Sequence, residues 1–244
     1  MQSDCQISLK AIVIILVVML PLVFYGQTRK ASRFEGYAYL NVNGGITQYY
    51  GDLNTNDYYN TKFKPAFSLI MGSQFSPLLS VRGQLMNGKI VGENTQFKFI
   101  ANLWDGTFDL SLNISNLISG YHKRLVSFYG FGGAGISTFS SRRSLLDGTI
   151  VEEKGKRYNK DAIYEFIVPF GIGANLALAP KVDLNFEYGN RILFSDDNLD
   201  AKPAVGKNDY YAYLSLGLTY KFNFFPIDNM WNLPRKGFWG LFNF

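Results

Sequence analysis

Cysteine and histidine are nearly missing from this chain, which has one of each, Cys5 and His122. With Cys5 ahead of the only long apolar run, a processed chain carries no thiol, so disulfide frameworks, thiol nucleophiles and cysteine metal sites are excluded. A histidine-based triad or zinc site would rest on His122 alone, in the polar turn-like setting SGYHKR. Long hydrophobic runs are equally scarce. The 47% hydrophobic content is ordinary for 244 residues, and a multi-helix membrane protein is excluded. The formal charge of +5 has no long cationic run behind it. Dispersed basic residues balanced by carboxylates argue against nucleic acid and fit a surface facing anionic headgroups or lipopolysaccharide.

The one apolar run, Ala11 to Tyr25, follows Lys10 and ends at the small residue Gly26. A positive residue, a short apolar block and a small residue make a Sec-type signal peptide over 1–26, leaving 27–34 as a periplasmic N-terminal segment.

What the chain has in abundance is alternation. From Asp209 to Phe224 the even positions Ala212, Leu214, Leu216, Leu218, Tyr220, Phe222 and Phe224 are lipophilic, while Tyr211, Tyr213, Ser215, Gly217, Thr219, Lys221 and Asn223 are small, polar or amphipathic. A strict two-residue period marks a strand with one oily face and one wet face. Its length suits a tilted strand crossing a bilayer.

The same period recurs in eight segments, near 36–50, 63–75, 79–90, 97–117, 124–138, 163–178, 181–194 and 209–224. In the sixth, Tyr164, Phe166, Val168, Phe170, Ile172, Ala174 and Leu176 oppose Glu165, Gly171, Gly173 and Asn175. Pro169 removes a ladder donor there, so a bulge is expected. The fourth segment is interrupted by Asp105 and Gly106 and is expected to start in earnest only near Phe108. Short turns at Ser76–Pro77, Ser119–Lys123 and Ala179–Pro180 alternate with longer polar connections at 51–62, 90–96, 139–161 and 195–208. Short periplasmic turns and long external loops are the habit of membrane barrels. A soluble barrel would put its oily face inward and its charges outward. Here the large aromatics lie on one face and Gly, Ser, Asn and lone charges on the other. The expected fold is therefore all-β, an eight-stranded antiparallel up-and-down transmembrane β-barrel over 35–224, with an aromatic tail at 225–244.

The stretches GGITQYYGDLN (Gly44 to Asn54), FYGFGGAGISTF (Phe128 to Phe139) and SDDNLDAKPAVGKNDYYAYLSLGLTYKF (Ser195 to Phe222) resemble the small outer-membrane barrels of Bacteroidota. These are similar in architecture to the OmpA barrel domain, and the group includes the PorG-type barrels of the type IX secretion and gliding machinery. The resemblance implies outer-membrane localisation with both termini periplasmic. It also implies a non-enzymatic role as an accessory or anchoring subunit of a larger envelope assembly, type IX secretion or gliding being the favoured example. A free-standing OmpA-like protein, adhesin-like or binding ligand through its external loops, is the alternative. With 20 residues after Phe224, tethering through an OmpA-type peptidoglycan domain is not expected.

The inward charges Lys64, Arg82, Glu165, Glu187 and Arg191 could line a pore or pair with one another. An eight-stranded interior is just wide enough for side chains to fill, so a buried polar network is expected. Asp196, Asp197 and Asp200 lack the spacing and glycine of a calcium loop, and no metal, cofactor or catalytic set is expected. Phospholipase, protease or lipid A chemistry would need a base near the rim, and His122 falls on a periplasmic turn. In the tail, Pro226 and Pro234 stop the strand, and Trp231, Phe238, Trp239, Phe242 and Phe244 make an oily segment. They would lie at the headgroups or dock a protein partner. Expected partners are outer-membrane lipid, lipopolysaccharide and a periplasmic or outer-membrane protein.

Overall fold

The computed structural model describes residues 34–50, 62–93, 96–158, 161, 163–193 and 210–222. Among the described residues nine strands form: β1 (Tyr37–Tyr50), β2 (Lys64–Gln74), β3 (Leu79–Glu93), β4 (Phe97–Asn113), β5 (Val126–Leu145), β6 (Ile150–Lys154), β7 (Ile163–Ala179), β8 (Val182–Leu193) and β9 (Tyr210–Phe222). All pairings are antiparallel, each barrel strand hydrogen-bonding its sequence neighbours with β6 passed over, and the ring closes through β1–β9. Eight strands make the barrel. The ninth, β6, is a flap paired only with the far end of β5.

Period two decides which side chains point where. Outward residues include Phe67, Met71, Leu85, Trp104, Phe108, Leu110, Ile172, Phe186, Leu216 and Leu218, all exposed. Along β4 this band runs from Trp104 to Leu112, eight steps or about 27 Å of strand, which at a tilt of about 40° covers about 20 Å of the roughly 25 Å apolar belt of outer-membrane barrels. Among the described residues no helix is long and apolar enough to cross a membrane. Strands carry this oily surface.

One rim, the turn end, holds the connections Phe75–Leu78, 114–125 and Pro180–Lys181; the other, the loop end, holds 51–63, 94–96, the segment with β6 and 194–209, and the long connection expected at 90–96 shrinks to three residues because β3 runs on to Glu93. At the loop end three strands outrun the apolar band. There β3 reaches Glu93, β4 begins at Phe97 and β5 continues to Leu145, where β6 adds a fourth strand. On this projection the alternation changes sense. Outward positions become Asn87, Lys89, Lys98 and Asn102, while Met86, Ile90, Phe99, Ala101 and Leu103 turn inward and are buried.

That inversion corrects one expectation. β4 is continuous from Phe97, and Asp105 and Gly106 lie inside it, in register with Met86 and Leu85 of β3. Asp105 is an inward residue of a strand whose upper half has left the oily band.

Three further expectations change. Residues 114–117 are not strand: β4 stops at Asn113, and a short helix, α1 (Ile114–Ser119), follows. The Asn113 side chain accepts from the Asn116 N–H at 2.8 Å, and Gly120, with φ 72°, ends the helix, so local capping overrides the strand pattern. No bulge forms at Pro169, which sits opposite Arg191 in unbroken register. Its missing N–H falls instead where the β5–β7 ladder skips Gly133 and Ala134, the pairs on either side keeping one register. The connection 139–161 is no plain loop. It holds the end of β5, the turn at 146–149 and β6, cross-linked by Arg142–Glu153 at 2.7 Å and Arg143–Glu152 at 3.2 Å.

The expected signal peptide (1–26), the segment 27–33, Asp196, Asp197, Asp200 and the tail residues Trp231, Phe238, Trp239, Phe242 and Phe244 all lie outside the described residues.

Candidate functional site

The interior is the place where chemistry could reside, and it is divided in two. Toward the turn end it is polar. Arg82 on β3 reaches across to β8, four strands away around an eight-strand ring, and grips Glu187 with two nitrogens, Nη1 to Oε2 at 2.5 Å and Nη2 to Oε1 at 3.2 Å. Its Nε donates to Asp109 Oδ2 at 3.1 Å, and its guanidinium lies 3.8 Å from the Phe131 ring centroid. A fork-on-carboxylate pair fixes direction as well as distance, so this contact staples opposite walls. Tyr129 donates to Glu187 at 2.8 Å, and the Asn185 amide donates to Tyr129 Oη at 2.7 Å and to Asn175 at 2.8 Å.

A second cluster lies above it. Arg191 Nε is 3.3 Å from Asp105 Oδ2, and Arg191 Nη2 donates to Gln84 at 3.0 Å. Asp105 also accepts from Tyr211 at 2.5 Å and from Ser137 at 2.7 Å. Arg82, Arg191, Asp105, Asp109 and Glu187 are all at least 97% buried. Charges so enclosed are stable only in company, since an unpartnered one costs several kcal/mol.

Toward the loop end the filling is oil. Met86, Ile90, Phe99, Leu103, Phe139, Ile167 and Leu193 pack into one cluster with Tyr49, Tyr211 and Tyr213. The two tyrosines of β9 form the seam between the halves. Their rings belong to the apolar cluster, while Tyr211 donates to Asp105 and Tyr213 donates to Ser68 at 3.3 Å. Side chains thus fill this interior, as the width of an eight-stranded barrel requires.

Of the five charges picked out from the sequence, Arg82 and Glu187 meet directly, and Arg191 joins the same buried column through Asp105 and Gln84. Glu165 is inward and buried on β7, opposite Ser137. Lys64 shares the inward parity but stands at the loop-end tip of β2, outside both arginine clusters. Sequence reasoning missed Asp105 and Asp109 as the arginines' partners. The signal was present: two acids four residues apart on the inward parity of β4, with Asp109 in register with Arg82.

At the turn end the lumen opens into a cavity of about 750 Å³ whose wall includes Tyr121, His122, Arg124 and Lys181. Arg124 closes the α1 turn, donating to Asn116 Oδ1 at 2.9 Å, Ser119 Oγ at 2.7 Å and the Gly120 carbonyl at 2.5 Å. Partial burial lowers its pKa from the usual value, and a guanidinium stays charged regardless. His122 lies against the same guanidinium at 3.0 Å. Its environment is that of a turn brace. Among the described residues no group of three or more His, Cys, Asp or Glu side chains could hold a metal ion.

Residues 16–222 match the model of the outer membrane protein β-barrel domain family. No curated protein matches the chain. Similar solved structures include Ail, the attachment invasion locus protein of Yersinia pestis, 15% identical over 78% of this chain and 100% of that one, TM-score 0.47. Neisserial surface protein A is 14% identical over 76% of this chain and 97% of that one, TM-score 0.45. OprG of Pseudomonas aeruginosa is 13% identical over 78% and 98%, TM-score 0.44. These likenesses concern the fold alone.

Proposed function

Because this chain belongs to the outer membrane protein β-barrel domain family, we propose that it is a non-enzymatic accessory or anchoring subunit of a multi-protein envelope assembly, of the protein secretion (type IX) or gliding kind. The observation that carries the reading is the filled lumen. Among the described residues the interior is occupied by Arg82–Glu187, Arg191–Asp105 and the apolar cluster around Phe99, which leaves the surface and the two ends to do the work. The sequence resemblance to Bacteroidota barrels supplies the choice of assembly.

In this reading the turn end and both termini face the periplasm, the loop end faces outward, and the barrel fixes the position of its partners in the outer membrane. The turn end offers contact surface: Leu117 and Ile118 on α1, Leu125 and Leu178 are exposed beside Lys123 and Lys181. Exposed aliphatic and aromatic groups next to cations suit a protein or headgroup interface. The tail residues Trp231, Phe238, Trp239, Phe242 and Phe244 are the proposed docking peptide. Enzymatic action finds little support at this rim, where the one histidine braces a turn through Arg124.

Affinity purification of the native barrel in mild detergent, with and without residues 227–244, tests the proposal. Stoichiometric periplasmic or outer-membrane partners lost on truncation are expected. Every partner retained by the truncated barrel would remove the tail from the interface, and a barrel that purifies alone in both forms would overturn the subunit reading. The projecting β5–β6 hairpin favours a second reading in that event. Its ion pairs hold exposed Leu146, Ile150 and Val151 at the loop end, where an external ligand could meet them.

A further inference from the structure

The lowest part of the polar interior contains oxygens that the arginine clusters do not use. Asn41, Thr219 and Asp183 lie side by side on β1, β9 and β8, Thr219 standing directly opposite both others in the ladder. Adjacent strands are about 4.8 Å apart. The two longer side chains therefore flank Thr219 and can close over its hydroxyl. Asn41 Oδ1, Thr219 Oγ1, Asp183 Oδ1 and Asn185 Oδ1 are buried without a protein hydrogen-bond partner, and each residue is more than nine-tenths buried. All four line one chamber of about 50 Å³. The Asn185 orientation is fixed, because its amide nitrogen is committed to Tyr129 and Asn175, so its oxygen is the atom left over. Asp183 holds Lys221 through Oδ2 at 2.5 Å, which leaves Oδ1 for the chamber.

Charge points the same way. Of the charged groups, Arg82, Lys221 and Asp183 line the chamber, and Arg82 is held on its other side by both Asp109 and Glu187. Counted with those pairs, the three carboxylates exceed the two cations by one in an enclosed space, where an unbalanced charge is costly. Four buried oxygens without a protein partner, beside a single surplus negative charge, are the complement of a hard monovalent cation. A divalent ion would overshoot the charge and asks for six to eight oxygens. The chamber shares Tyr37, Gln74, Asn113 and Lys221 with the turn-end cavity, which gives an entry path.

We propose that this chamber binds one monovalent cation of sodium size between Asn41 Oδ1, Thr219 Oγ1, Asp183 Oδ1 and Asn185 Oδ1. The ion balances the lumen and stiffens the β8–β9–β1 wall where the barrel closes. It is a resident ion in a blind well and moves no current, since the apolar cluster seals the far side.

The test uses the full-length barrel folded in detergent micelles, with sodium chloride exchanged for choline chloride at constant ionic strength. Unfolding in urea is expected to slow about fivefold as sodium rises to a few times its dissociation constant, and the effect is expected to saturate. Thr219→Val, which keeps the shape and removes one ligand, and Asp183→Asn should each weaken the sodium dependence. The valine variant carries the test if the asparagine variant does not fold. Equal unfolding rates in sodium and choline, or a sodium effect unchanged in both variants, would each overturn the site.

Discussion

The two halves of the lumen solve the same packing problem with opposite chemistry. Around Arg82 and Arg191 the walls are joined by ion pairs that span the barrel, and each charged group depends on its partner. Around Phe99 and Leu103 the walls are joined by apolar contact, which is undirected and tolerates repacking. The outer surface mirrors this division. Beside the polar half it is oily, as a bilayer demands, and beside the apolar half on β3, β4 and β5 it carries Asn87, Lys89, Asn102 and Arg142. A membrane barrel below and a soluble-sense barrel above are thus built into single strands. Where the surroundings change from lipid to water, the inside changes from wet to oily.

The largest effect should come from orphaning a charge. Arg82→Leu leaves Glu187 and Asp109 facing each other without their cation, and equilibrium unfolding in lipid vesicles should show a loss of about 3 to 5 kcal/mol. In the oily half, Phe99→Ala removes an aromatic ring and leaves a cavity costing about 3 kcal/mol by the same assay. The pair Arg82→Leu and Phe99→Ala should also differ in rescue. Adding Glu187→Leu and Asp109→Leu should recover part of the first loss, whereas Phe99→Leu should recover much of the second.

The outward boundary can be broken separately. Phe108→Lys puts a charge mid-band and should cost about 2 to 4 kcal/mol, whereas Asn102→Lys, six residues up the same face, should cost about 0 to 1 kcal/mol. Equal costs would mean that the band extends past Trp104. The smallest change is expected at an exposed pair: Arg142→Gln with Glu153→Gln on the β5–β6 hairpin should fall within about 1 kcal/mol of the parent, because a solvent-exposed ion pair contributes little.

The sequence made the lower half readable because lipid outside and a polar lumen inside give one unambiguous alternation. Phe170, Ile172 and Ala174 against Gly171, Gly173 and Asn175 could be assigned by parity alone. The upper half was misread for a physical reason. From Leu103 to Phe97 the strand still alternates, but with oil inward and Asn102 and Lys98 outward on either side of an exposed Ile100, so Asp105 at the changeover looked like a break. Ion partners were half visible. Parity named Arg82, Glu187 and Arg191 as inward, but pairing across the ring depends on register and shear, which no single strand carries. The α1 helix was hidden because ISNLIS is too short for helical and strand periods to be told apart, and its start is set by the Asn113 cap.

Single-channel recording of the purified protein in a planar bilayer tests most directly the claim that charge below and oil above close the lumen. No steady conductance is the outcome expected from the wild-type barrel. Well-resolved, long-lived openings from single inserted monomers would contradict it, and with it the assignment of the barrel's work to its surfaces and ends.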